Sequence, residues 1–159
     1  MESSGSANSS QCLTFRLDHE LFAINIAKVQ EVLEFSTVTK VPRTPDFMRG
    51  VINLRGNVVP VVDLRIKLGL SPTERTVDTC IVITEVTVGG DNVIVGALVD
   101  SVQEVLELGD GDISPPPRMG ARIDANVISG MGRRNDEFVM ILDIDKVFPP
   151  SDLKAVAAM

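Results

Sequence analysis

The sequence predicts a mainly β protein built as two five-stranded β-barrels, related by a pseudo-two-fold axis around a shared hydrophobic core, with few short helices. Three observations carry this reading. Val and Ile dominate an apolar fraction of 44%, while aromatics make up only 4%, and β-branched side chains pack well on a pleated surface. The apolar runs are short and bounded by Gly, Asn, Asp and Pro, as strands bounded by turns are. The hexapeptide VQEVLE occurs at 29–34 and returns unchanged at 102–107.

Taken in order, residues 1–10 are rich in Ser, Gly and Asn and are expected to be a disordered tail. Runs 11–17 and 20–25 flank Asp18-His19 and read as a hairpin. Ile26, Val29, Val32 and Leu33 recur at near-helical spacing inside strand-forming sequence, which predicts one helical turn leading into a third strand. VPRTPDF, with two prolines, is an irregular connection. Runs 50–54 and 58–64 flank Arg55-Gly56-Asn57 as a second hairpin, and 64–70 predicts a short helix closed by Ser71-Pro72. Runs 79–88 and 93–99 meet at Gly89-Gly90-Asp91-Asn92, residues that tolerate positive φ. The second VQEVLE is followed by GDGDISPPPRMG, read as loop, then by strands at 123–131 and 137–144. Residues 151–159 are expected to be a tail or a short helix capped by Ser151.

The repeat organises these elements. Each VQEVLE follows a hairpin and precedes a proline-containing loop, VPRTP in one half and ISPPP in the other. A second block, 50–64, aligns without gaps on 130–144, with Gly50/Gly130, Val59/Val139 and Asp63/Asp143 identical. Two copies at this spacing are not a solenoid. Each half, at roughly 65–75 residues, is marginal as an independent unit, so the halves should share an apolar seam. The ordered domain is expected over 11–150, as two interwoven subdomains, roughly 20–85 and the remainder.

Charge and motifs exclude several function classes. The net charge of −7, with Lys and Arg scattered, gives no basic footprint for phosphate backbones or anionic membranes, so no nucleic-acid partner is expected. The N-terminus has no basic and apolar leader, and no run reaches the length of a spanning helix, so cytoplasmic location without direct membrane insertion is expected. Cys12 and Cys80 lie in apolar runs, where a free buried thiol is the default. A single histidine, His19, sits in a turn, and the two cysteines are far apart, so no zinc spacing exists. Asp110, Asp112 and Ser114 imitate only the start of a calcium loop. Gly130-Met131-Gly132 and Gly89-Gly90 lack a strand–turn–helix phosphate context. Glu31/Glu34 and Glu104/Glu107 read as solvated acids. No enzyme, cofactor or metal is expected.

KVQEV, FMRGVINLRGNVVPVVDLRIKLGL and VGALVDSVQEVLEL together resemble the CheW family of bacterial chemotaxis coupling proteins, over about residues 11–150. The same domain occurs in the kinase CheA and in CheV. The resemblance implies SH3-like barrels and an adaptor linking transmembrane chemoreceptors to the histidine kinase CheA, with no chemistry of its own. It implies a groove for the receptor's cytoplasmic hairpin tip, walled by Ile26, Val29 and Val32 with Val99 from the second half. It further implies coupling roles for Glu31 and Arg55, and a kinase-facing surface expected at Phe47 and at Pro42 of the VPRTP loop. Attachment to receptor arrays through protein contacts, and a monomer in isolation, are also expected.

Overall fold

Three of the hairpins close on two-residue turns with both residues in left-handed backbone, the geometry that matches strand twist. Asp18 and His19 have φ of 52° and 70°, Arg55 and Gly56 of 51° and 89°, and Gly89 and Gly90 of 59° and 87°. The Arg55 turn is one residue tighter than expected, because Asn57 already pairs with Leu54. In the computed structural model, which describes residues 9–115 and 125–148, these turns join ten strands. They are β1 (Ser9–Leu17), β2 (Glu20–Asn25), β3 (Val29–Glu34), β4 (Met48–Leu54), β5 (Asn57–Asp63), β6 (Cys80–Val88), β7 (Asp91–Val99), β8 (Ser101–Gly109), β9 (Ile128–Arg134) and β10 (Glu137–Leu142). Two single-turn helices follow the paired blocks, α1 (Leu64–Lys67) and α2 (Ile144–Val147). The expected turn before the third strand is a 3-10 turn at Ile26–Lys28.

The strands form two five-stranded sheets with the same internal order, β8-β1-β2-β10-β9 and β3-β6-β7-β5-β4. Each runs from a VQEVLE strand, through a hairpin, to a parallel junction with a repeated block. The hairpin in each sheet comes from the other repeat. β3, β4 and β5 enclose β6 and β7, while β1 and β2 are enclosed by β8, β9 and β10. One sheet is therefore the continuous stretch 29–99, and the other is assembled from what precedes and follows it. This corrects the division near 20 and 85, which puts β2 and β7 in the wrong sheets. The cause is the pairing of β2 with β10 and of β5 with β7.

Alternation then sorts side chains between three apolar clusters. In β6, Ile81 and Ile83 pack within their own sheet's curl, whereas Val82 and Val86 face the cluster shared by both sheets. β2 divides likewise, Leu21 and Ala23 inward and Phe22 and Ile24 to the shared cluster. β10 does so with Val139 and Ile141 against Met140 and Leu142. Inner strands covered on both faces read as unbroken apolar runs, and the shared cluster is the seam expected from the size of the halves.

The repeated block residues have local causes. Asp63 and Asp143 cap α1 and α2 through the amides of Arg65 and Asp145. Their own amides donate to the carbonyls of Phe47 and Val127, which are as far apart in the chain as the aspartates themselves. Gly50 and Gly130 lie where Thr39 and Ser114 bridge to Val51 and Met131, covering the outer edges of β4 and β9. A Cβ on Gly50 would stand 2.1 Å from the Thr39 carbonyl oxygen.

Several expectations shift. The 64–70 helix ends at Lys67, and 137–144 ends as α2, which the alignment of Leu64 with Ile144 already implies. The strand expected from 123 starts at Ile128 after a 3-10 turn, Ala125–Val127. Ser9 and Ser10 belong to β1, and the remaining tail residues, most of the PPPRMG segment and 151–159 lie outside the described residues. Cys12 and Cys80 are free thiols, and burial pushes both up in pKa. Cys80 is only partly buried.

Asp63 is fully buried and also accepts from the Thr73 amide and hydroxyl, at 2.9 and 2.7 Å, and from Arg49 at 3.2 Å. Among the described residues, the Asp143 carboxylate has only its cap. Asp63→Ala is expected to lower stability by about 3 kcal/mol, because it strands buried donors. Asp143→Ala should cost about 1 kcal/mol, the ordinary value of a cap. Urea unfolding of both variants checks the difference.

Candidate binding site at the rim of the shared core

β3 and β8 are the open edges of their sheets, and both carry VQEVLE. In an unbroken strand, Val29 and Val32 would point to opposite faces. A bulge between Val29 and Glu31 prevents this: Val29 pairs with Thr84, Glu31 with Ile83 and Val32 with Val82. The extra residue rotates Val29 onto the face that Val32 shares with Val82, towards the shared core. β8 repeats the device against β1, with Val102 opposite Phe15, Val105 opposite Leu13, and the register shift between them. Leu33 and Leu106 turn the other way, into their own sheets.

Each open edge thus presents a valine pair that starts in the core and ends in solvent. Ile26, Val29 and Val102 are partly buried against the shared cluster, while Val32 and Val105 are 41% and 50% exposed. The structure brings Ile26, Val29 and Val32 together but moves Val99 out of the wall. Val99 lies two strands in from the edge and is fully buried, because β7 is covered on both faces. It supports the surface from below and cannot touch a partner.

Glu31 emerges on the inner-curl face and meets Arg55 from the β4–β5 turn, across the mouth of the curled sheet. The contact is bidentate, with one nitrogen of the guanidinium on each carboxylate oxygen. Arg55's hydrogen bonds hold the Glu31 carboxyl below the ordinary glutamate range and push the guanidinium up. Beside the pair lies a surface hollow of about 520 Å³, lined by Gln30, Leu54, Val58, Pro60, Val93 and Ile94. Pro42 is exposed. Phe47 is not a free surface ring: it packs on the shared cluster and lies under the Lys67 ammonium, 4.7 Å from the ring centroid.

Besides Val77, the exposed apolar residues missing from the expectations drawn from the sequence include a matched pair, Val58 at 72% and Phe138 at 58%. They occupy the same position in the two repeated blocks, as Val32 and Val105 do in the two hexapeptides. The repeat offsets are the signal that finds them.

Comparison with known proteins gives this rim a family. The CheW-like domain profile matches residues 11–150. The chain belongs to the CheW-like domain family. It is 34% identical to the chemotaxis protein CheW of Klebsiella aerogenes, across 91% of this chain and 84% of that one. It is 32% identical to that of Rhizobium meliloti, across 91% of both. The chemotaxis protein CheV3 of Helicobacter pylori is 31% identical, but the match spans only 42% of its length. Among solved structures, the scaffolding protein TtCheW of Thermoanaerobacter tengcongensis superposes with a TM-score of 0.77 at 31% identity, covering 90% of each chain. The strings that resemble CheW in the sequence build β3 to α1 and β7 to β8, which include both rim strands, β3 and β8.

The Glu31 value has a measurable consequence. A carboxyl depressed by its partner contributes stability above the ordinary glutamate range, and loses it as pH falls through the folded value. The Glu31–Arg55 contact should therefore stay intact at neutral and mildly acidic pH. In a carbon-detected NMR titration, Glu31 should titrate below the ordinary glutamate range of about 4.3, and Arg55→Met should return it there.

Proposed function

We propose that this chain is a non-catalytic chemotaxis adaptor that joins the cytoplasmic hairpin tip of transmembrane chemoreceptors to the histidine kinase CheA, and so permits control of kinase autophosphorylation. The observation that carries the reading is the valine rim, apolar and half-exposed at an otherwise charged edge. An amphipathic helical hairpin binds by laying its apolar face on such a surface. Val29 and Val32 are β-branched and already ordered by the sheet, so little rotamer entropy is lost on contact. Ile26 extends the rim at the 3-10 turn, and Glu31 with Arg55 fixes the adjoining hairpin. The relatives named chemotaxis protein CheW, and the solved one titled a scaffolding protein, support the same reading.

On this reading the kinase surface includes the exposed Pro42 loop and the partly buried Phe47, which packs on the shared cluster under Lys67. The protein works in the cytoplasm and reaches receptor arrays through protein contacts. Among the described residues, no helix is long and apolar enough to cross a membrane.

Binding of a chemoreceptor cytoplasmic fragment and of the CheA regulatory domain tests the proposal. Val32→Asp changes a half-exposed side chain, so it should weaken receptor-fragment binding tenfold or more while the thermal midpoint moves by only about 2 °C. Val29→Asp is less informative, because Val29 also packs on the core. Arg55→Glu places like charges against Glu31 and should weaken one or both contacts. Normal binding of both partners by Val32→Asp and Arg55→Glu would remove the rim from the function.

A further inference from the structure

The second sheet has its own charged contact across its mouth. Glu104 stands in β8 where Glu31 stands in β3, and it meets Arg134, the last residue of β9, at 3.5 Å. β8 and β9 are the two edge strands of that sheet. They also touch through Leu108, whose methyl lies 2.9 Å from where a Cβ on Gly132 would be. The arginine has moved by one position, from the turn residue aligned with Asn135 to the strand end, and this changes its surroundings. Arg55 is 70% exposed, and among the described residues it pairs with Glu31 alone. Arg134 is 21% exposed and reaches Glu137 as well, at 3.7 Å.

The contact continues inward. Glu137 is held bidentately by Arg16 of β1. The same guanidinium donates to the His19 carbonyl in the β1–β2 turn at 3.1 Å, and the Arg16 carbonyl accepts from the Asp100 amide. Four side chains from β8, β9, β10 and β1 are therefore joined on one sheet, ending at the point where β7 passes into β8.

We infer that Glu104, Arg134, Glu137 and Arg16 form a positioning network that fixes the β8 rim, Val102 and Val105, while the β3 rim, anchored at its start by Lys28 on Asp145, has across the mouth of its sheet the exposed Glu31–Arg55 pair, which among the described residues is linked to no further charge. The two rims are alike in sequence and unlike in stiffness. Resting on the adaptor reading above, β3 is the rim that adjusts to a partner and β8 the one that is preset. A linked set of charges resists opening more than an isolated surface pair, which salt screens readily.

Hydrogen exchange on the full chain, followed by mass spectrometry, tests this without any partner. In the wild type, 1 M salt should speed exchange in 29–34 more than in 101–109. Arg134→Met should speed exchange in 101–109 about three- to tenfold, and Glu104→Gln, a change at a half-exposed side chain, should do so in the same direction. Arg134→Lys, which keeps the charge, should recover at least half of the protection. Unchanged exchange in 101–109 with both Arg134→Met and Glu104→Gln overturns the network. Arg134→Lys as fast as Arg134→Met also overturns it, since packing rather than charge would then be responsible. If the wild type binds neither receptor fragment nor kinase domain, the adaptor reading fails while the exchange result still decides the network.

Discussion

The two parallel pairings, β2 with β10 and β7 with β5, are the constraint on which the rest of the structure depends. Each is short, two register pairs in one sheet and three in the other. Each joins a hairpin of one repeat to a block of the other, so neither repeat can complete a sheet alone. Because each pairing takes one strand from each repeat, it is made only when strands of both repeats are present. The inner strands are then covered on both faces, by their own sheet's curl and by the shared cluster. This explains LFAI, VPVV and GALV, which read as continuous apolar runs where a half-buried strand would alternate.

With the inner strands committed, the edges are left for VQEVLE, and most positions in it have a task. The first valine enters the shared cluster, the second reaches the rim, and the leucine fills the curl. The middle glutamate crosses to an arginine on the far edge. The bulge makes these tasks compatible, since strict alternation would send the two valines to opposite faces. The charged residues also suit an exposed edge, where Glu discourages unwanted strand pairing.

Duplication supplied two equivalent frameworks, and charge then made them different. α1 and α2 are each capped by an aspartate, but their second residues are Arg65 and Asp145. Arg65 binds Asp18 and Asp100, on the β1–β2 turn and the β7–β8 junction. Asp145 binds Lys28 at the β2–β3 junction and the Thr87 amide in β6. Equivalent helices thus hold equivalent places in the opposite sheet with reversed sign. The two junctions are not interchangeable, just as the two edge contacts, one isolated and one networked, are not.

Local chemistry makes much of this legible in the chain itself. Turn residues that accept positive φ mark the hairpins, the β-branched runs mark the strands, and the offsets between hexapeptides and blocks mark two like halves. The VQEVLE and GVINLRG strings are enough to suggest the family; Ile26, Val29, Val32 and Glu31 lie at one edge, and Arg55 reaches Glu31 from the turn at the other. Chain order does not reveal which hairpin enters which sheet, because that choice is made by pairings between residues far apart in the chain. For the same reason Val99 reads as a groove residue when it is a buried support, and Phe47 as a surface ring when Lys67 covers it. The sequence by itself determined the strands and the duplication, since these follow from periodicity and turn chemistry, while its resemblance to CheW pointed to Ile26, Val29 and Val32. Only the tertiary structure decided the exchange of hairpins, and with it the sides on which the valines, glutamates and arginines meet.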